Sequence, residues 1–277
     1  MVHNVFKYIT EDRSKQFKTS NRYILTHLLY SNTLFEVYIY IYIQITLIFF
    51  VLFFLVIYYF GNSFFRKDIF QINWSIMEYN GSALVAMCGK DCVALASDRR
   101  LGVQQTTVGN NMKKMFRVHD SLYMGLSGLA SDVQRVSKEI SFKMALYELR
   151  EERNIKPQSF GNMLCSFLYE KRFGPWYVEP LVAGLQADGK PFICGMDLIG
   201  APVYTDDFVV CGTAEDSLYG TCESMYRPDL GPDELFETIS QCLLSAVDRD
   251  CLSGWGAEVI IITKDGVRTK TLKGRQD

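Results

Sequence analysis

The sequence predicts an α+β domain: a four-layer alpha-beta-beta-alpha sandwich of two antiparallel sheets, carried behind an atypical N-terminal extension. Three observations lead there. Element signals come in blocks: strands, two helices, strands, two helices, strands. Tight turns join the strands, which makes them antiparallel, since a parallel pair needs a crossover of about a dozen residues or more. Several strands, such as Val259 to Ile262, are apolar without interruption. Both of their faces need cover, and two stacked sheets with a helix pair on each outer side supply it.

The extension comes first. Residues 1–60 of the 277 contain no Ala, Gly or Pro, while the first Ala is Ala83 and the first Pro is Pro157. Such a composition is what translation of AT-rich, non-coding sequence would give, so residues 1–72 are expected to lie outside the working protein and residues 73–277 to form the domain. Within the extension, Val37 to Phe60 carries no charge over 24 residues. As a helix it would reach about 36 Å, past a hydrocarbon core of about 30 Å, so a membrane anchor at 37–60 is the alternative reading. Basic residues flank it on both sides, which gives little orientation signal.

In the domain, Ser82 to Cys88 and Cys92 to Ala96 read as a hairpin around Gly89-Lys90-Asp91. Met115 to Val118 and Ser121 to Gly125 read as a second hairpin around His119-Asp120, so four strands precede any helix. Ser131 or Asp132 is expected to cap a long helix whose apolar stripe is Val133, Val136, Ile140, Met144 and Tyr147, ending at Lys156-Pro157. A second helix follows from Gln158 to Lys171. Two strands turn at Asp188-Gly189, and YTDDFVVCGT supplies a further strand ending at Gly212. Helices return over Ala214–Tyr226 and Asp233–Arg249, and EVIIITKDGVRTKTL closes the chain as a hairpin turned at Asp265-Gly266.

Composition removes several classes of function. A formal net charge of -2 offers no basic footprint for nucleic acid. Eight cysteines between Cys88 and Cys251 form no CxxC pair, which argues against a zinc site or a disulfide framework and for a reducing compartment. The domain's one histidine, His119, reads as a surface turn residue, so Ser-His-Asp and Cys-His hydrolases lack their base. Neither GxxxxGK[ST] nor GxGxxG after a strand occurs. No metal or cofactor is expected.

A hydrolase without histidine can still work if the α-amine of its own first residue is the base, because that amine titrates near ~7.7–8.0. Such an enzyme needs Ser, Thr or Cys at the head of a strand, exposed by cleavage of the preceding bond. Ser82, after Gly81, has that form.

The stretches EYNGSA, ASDRRLG, GLSGLASDVQ, LYEKRFGPWYVEP, KPFICGMDLIG, LFETISQCLLSAVDRD and SGWG, spread over residues 76–277, resemble the β subunits of the 20S proteasome. These belong to the amino-terminal nucleophile hydrolases, whose fold is the four-layer sandwich. The resemblance places Ser82 at the nucleophile, Asp98 and Lys114 at the Asp and Lys beside it, Gly128 at the oxyanion donor, and Asp250 and Ser253 at the supporting pair. Three departures from the active members stand out: Ser82 replaces Thr, Leu129 replaces a small residue, and Thr213-Ala214 stands for Ser-Gly.

The resemblance also points to a kind of β subunit that does not cut and keeps its leader. It therefore implies no catalytic residue here, with the six positions vestigial, Lys114 and Asp98 forming a buried pair, and Asp250 and Ser253 capping the last helix and the turn after it. Arg99 and Arg100 read as core-pairing or inter-subunit charges. The implied partners are other proteasome α and β subunits in seven-membered rings of a four-ring barrel, in cytoplasm and nucleus, with protein substrates met only through the complex. An active peptidase using Ser82 is the competing reading.

Overall fold

The computed structural model describes residues 75–276, together with Tyr42 and Thr46. The expectations for residues 1–72, including the apolar run 37–60, otherwise lie outside the described residues. Among the described residues no helix is long and apolar enough to cross a membrane.

A 3-10 turn at Ile76–Glu78 precedes the strands β1 (Ala83–Gly89), β2 (Cys92–Asp98), β3 (Leu101–Val103), β4 (Thr106–Gly109), β5 (Met115–His119) and β6 (Leu122–Gly128). Helices α1 (Ala130–Glu151) and α2 (Pro157–Tyr169) follow, then β7 (Val178–Leu185), β8 (Pro191–Met196), β9 (Pro202–Thr205) and β10 (Phe208–Gly212). Helices α3 (Glu215–Met225) and α4 (Pro232–Val247) lead to the closing strands β11 (Ala257–Thr263) and β12 (Gly266–Leu272). One sheet has the order β10-β1-β2-β11-β12 and the other β5-β6-β7-β8-β9, with antiparallel pairing throughout.

The four layers follow from side-chain alternation. Every residue of β1 and β2 is buried. Ala83, Val85 and Met87 join the core formed with Leu218, Leu235, Ile239 and Leu243 of α3 and α4. Leu84, Ala86 and Cys88 point the other way, to the core shared with Leu181, Ile193 and Val209. Val259 and Ile261 likewise face the helices while Ile260 and Ile262 face the second sheet, which is why this strand is apolar without a break. A third core joins Met124, Leu126 and Val182 to Val133, Ile140, Phe160 and Leu164 of α1 and α2. Between the sheets Gly125 allows close approach, since a Cβ there would lie 3.2 Å from a Leu84 methyl.

Four expectations need correction. Among the described residues from 75 onward, six strands, not four, precede the first α-helix, because Leu101–Val103 and Thr106–Gly109 form a small two-stranded ribbon. YTDDFVVCGT is two strands in different sheets: β9 ends one, and after Asp206-Asp207 the chain crosses to pair β10 with β1. Helix α1 begins at Ala130 with Leu129 as its N-cap, so neither Ser131 nor Asp132 caps it. The free amide of Ala130 donates instead to Asn80 Oδ1 at 2.8 Å, and the Asp132 carboxylate accepts from the Tyr177 amide at 2.9 Å.

His119 is the fourth. It is half-buried rather than a surface turn residue. Its Nε2 lies 3.1 Å from the Ile155 carbonyl, which can only accept, so Nε2 carries the proton and Nδ1 accepts the Ser121 amide at 3.3 Å. The imidazole thereby ties the β5–β6 turn to the connection between α1 and α2.

Candidate functional site

The residues singled out by sequence gather at one end of the sandwich because of strand register. Ser82 immediately precedes β1 and Asp98 ends β2, its antiparallel partner. Lys114 immediately precedes β5, Gly128 ends β6, and Asp250 and Ser253 lie between α4 and β11. Pairing of Ala83 with Gly212 and of Asp98 with Ala257 brings Thr213 and the 250–254 segment alongside.

Asp98 is the hub. Its Oδ1 accepts from Lys114 Nζ at 2.6 Å and from the Ala83 amide at 2.9 Å, and its Oδ2 from the amides of Arg100 and Gly254, each at 3.2 Å. A fully buried carboxylate is stable here because four donors replace its water. Lys114 also donates to the Gly81 carbonyl at 3.1 Å. Burial pushes the Lys114 ammonium pKa below its ordinary value, and the Asp98 charge opposes that shift. The ammonium is thus directed at Asp98 and at the residue before Ser82.

A second line of contacts starts at Ser82. Its amide donates to Thr213 Oγ1 at 3.3 Å, and its carbonyl accepts from the Thr213 amide at 2.8 Å. Thr213 Oγ1 lies 2.7 Å from Asp250 Oδ2, a charge-assisted bond that holds its one proton, and Ser253 Oγ donates to the same oxygen at 2.6 Å. Asp250 Oδ1 accepts the Leu252 amide at 3.0 Å, so Asp250 and Ser253 organise the turn. At the end of α4, whose last residue is Val247 and C-cap Asp248, Asp250 contributes its backbone amide, which donates to the Val247 carbonyl at 3.2 Å, while the side chains of Asp250 and Ser253 serve the turn. The Ser82 hydroxyl itself is buried and has no hydrogen-bond partner.

The segment ahead of Ser82 is stitched in place. The Asn80 side chain donates to the Gly102 carbonyl at 2.8 Å while its Oδ1 holds the first amide of α1. Backbone bonds run from Gly102 to the Asn80 carbonyl and from Gln104 to the Tyr79 carbonyl. Arg100, 1% exposed, donates to the carbonyls of Leu252 at 2.7 Å and Gln104 at 3.0 Å and to Thr107 Oγ1 at 2.9 Å, with a longer bond of 3.5 Å to Asn80. Burial lowers its pKa, against the pull of Asp98 and Asp250. Arg100 is therefore a core residue solvated by carbonyl dipoles.

Gly81 has φ +69°, and a Cβ on it would be driven into the Leu252 carbonyl. Gly128, at φ +106°, has no room for a side chain either: a Cβ would strike the Tyr177 carbonyl and lie 3.0 Å from the Met77 methyl. Met77 of the 3-10 turn thus sits against Gly128. Ser75, Met77, Glu78, Ser82, Gly128 and Thr213 are among the walls of a cavity of about 220 Å³.

The structure therefore brings together all six positions, through Asn80 and Met77, which the sequence does not single out, and through Arg100, whose core-pairing place the sequence suggests, and Thr213, known from sequence only as a departure. Asn80, Arg100 and Thr213 carry the connecting hydrogen bonds, and Met77 covers Gly128. The one local signal was Asn80-Gly81 as turn chemistry. Among the described residues no group of three or more His, Cys, Asp or Glu side chains is arranged to hold a metal ion. All eight thiols are free, and burial, with Asp206 and Asp207 nearby, pushes that of Cys88 up to about 12.

Comparison with known proteins agrees with this architecture. The chain matches the proteasome subunit family over residues 78–262. It is 60% identical over 203 residues to proteasome subunit beta type-3 of Picea mariana, covering 73% of this chain and 100% of that protein. The corresponding Oryza sativa subsp. japonica subunit is 58% identical over 203 residues, with the same coverage. Proteasome subunit beta type-3 of Drosophila melanogaster is 52% identical over 204 residues, again 73% of this chain and all of that one. With its fold, its site geometry and this likeness in accord, the chain belongs to the proteasome subunit family, where it groups with the beta type-3 subunits.

Proposed function

We propose that the chain is a structural, non-catalytic β subunit of the 20S core particle, with Ser82 marking the place of a nucleophile that it does not use. The observation that carries this is the fixed leader. Residues 75–81 contribute the acceptor for Lys114 at Gly81, the capping group for α1 at Asn80 and the Met77 contact over Gly128. Cleavage before Ser82 would create the α-amine that an amino-terminal nucleophile needs as its base. It would also strip the buried Lys114 and Arg100 of acceptors, and the first amide of α1 of its cap. The fold thus favours keeping the bond.

On this reading the six positions hold the ends of β1, β2 and β6 together. The partners are neighbouring α and β subunits in heptameric rings of the four-ring barrel, in cytoplasm and nucleus. Protein substrates are degraded by sister subunits, and residues 1–72 stand outside the domain. Mass spectrometry of the chain isolated from assembled particles tests it. A peptide crossing Gly81-Ser82 intact is the expected result, and a mature chain beginning at Ser82 overturns it.

A further inference from the structure

The cavity beside Ser82 has a chemistry that structural support does not require. Glu78, Glu179, Glu215 and Asp216 all stand in its wall. Among the described residues no lysine, arginine or histidine lies within ion-pair distance of any of the four. Glu78 accepts only the Ser75 amide and Glu179 only the Ser127 hydroxyl, both neutral donors at 3.3 Å. Burial raises the Glu215 pKa, and the charges of Glu179 and Asp216 raise it further, so these carboxylates act on one another. On the same wall Ser82, 2% exposed, keeps its hydroxyl oxygen without a partner. Carboxylates gathered without a counter-ion repel one another, and an occupant that brings positive charge and N–H donors relieves that repulsion.

The kind of cation follows from geometry. The carboxylates line the cavity, and among the described residues they do not converge as a metal-binding group, which favours a charge spread over several N–H donors. A volume of about 220 Å³ is below the range of about 300–1,000 Å³ usual for small-molecule sites, and suits one side chain better than a whole ligand. Met77, in the wall, offers an apolar surface for an alkyl stem. Resting on the reading of this chain as a non-cutting subunit, we infer that the cavity is a binding site for a single lysine or arginine side chain of a peptide, held by Glu78, Glu179, Glu215, Asp216 and Ser82 without cleavage.

The test uses core particles containing this chain, with the catalytic sister subunits first blocked by an epoxyketone. Photoreactive tripeptide amides bearing arginine, lysine or norleucine are cross-linked, and adducts on this chain are mapped by mass spectrometry. The basic peptides are expected to label the cavity wall at least about tenfold more than the norleucine peptide, the ratio given by about 1.4 kcal/mol of differential binding. Glu179→Gln/Glu215→Gln is expected to abolish the preference. Asp216→Asn, at an exposed position, is expected to weaken it and serves as the second arm if the double variant does not assemble.

Equal labelling by norleucine, or a preference unchanged in the variant particles, overturns the inference. Spermine as competitor separates the sources of positive charge. Displacement only at concentrations above those of the basic peptides supports a peptide side chain, and tighter binding of spermine overturns that assignment. An epoxyketone adduct on an amino-terminal Ser82 would instead sink the non-cutting reading, whereas unselective labelling with Gly81-Ser82 intact sinks this inference alone.

Discussion

Lys114 Nζ and Asp98 Oδ1 lie 2.6 Å apart, with the two side chains 2% and 0% exposed. The two ends of this pair are not equally dependent on it. Asp98 keeps three backbone amides if the ammonium is removed, whereas Lys114 is left with neutral oxygens only, the Gly81 carbonyl among them, and no counter-charge if the carboxylate is neutralised.

Breaking the pair from the two sides should therefore give unequal results. Removing one partner of a buried ion pair typically costs about 3–5 kcal/mol. Asp98→Asn is expected at the upper end of that range, since it leaves an ammonium without a counter-charge, and Lys114→Met at or below the lower end. Denaturant unfolding of the two variants checks the order. The double variant should lose less than the sum of the two, because the sites are coupled.

Gly81 and Gly174 offer a matched comparison. Gly81→Ala combines a positive φ with a collision at the Leu252 carbonyl, while a Cβ at Gly174 meets nothing within 4 Å. The strained conformation alone costs about 1–2 kcal/mol, and displacement of the Leu252 turn adds to it, which also disturbs the Arg100 bond to that carbonyl. Gly174→Ala should change stability by no more than about 0.5 kcal/mol, as an open surface site does. Thermal melting of both variants provides the contrast.

The histidine contributes a pH dependence with a defined sign. Burial lowers the His119 pKa below its ordinary 6.5, opposed by the bond to the Ile155 carbonyl and by Asp120 and Glu148, and aided by Arg117. The unfolded chain therefore binds a proton more readily than the folded one. His119's contribution to stability is full above pH 6.5 and is lost as pH falls toward the lowered folded value. A tenfold difference in proton affinity between the unfolded and folded chain corresponds to about 1.4 kcal/mol. His119→Gln keeps a donor for Ile155 but does not titrate. Unfolding measured between pH 7.5 and about 5 should fall more steeply for the parent chain than for the variant, and parallel curves would contradict the assignment.

Much of the fold was legible because it is written in short-range patterns. The fully buried β1 and β2 read as apolar runs, and α4 showed its stripe of Leu235, Ile239, Leu243 and Ala246. What escaped depends on distant partners or on polar surface. The β3–β4 ribbon is only partly buried, with Thr106 and Thr107 where a core strand would be apolar. The cap of α1 comes from Asn80, fifty positions upstream, so no local rule points to it. Around the site, Asp98 and Lys114 could be placed by resemblance. The role of Thr213 as the link between Ser82 and Asp250 needed the pairing of β10 with β1 to become visible.

Ser82 itself gives the last prediction. A nucleophilic serine cannot lose its oxygen without loss of activity, whereas a buried hydroxyl without a partner contributes little to stability and leaves a polar atom unsatisfied. Ser82→Ala removes that atom and keeps the backbone bonds to Thr213 that fix the start of β1. The variant is expected to be within about 0.5 kcal/mol of the parent in unfolding, or slightly more stable, because the desolvation cost of the hydroxyl disappears. Particles carrying it should assemble to the same extent and hydrolyse peptides at unchanged rates. Thr213→Val in the same background separates support from chemistry. It removes the acceptor for the Ser82 amide and the donor to Asp250, and should cost about 1–3 kcal/mol as buried partners go unpaired. A particle in which Ser82→Ala lowers peptide hydrolysis while Thr213→Val leaves stability untouched would reverse both assignments.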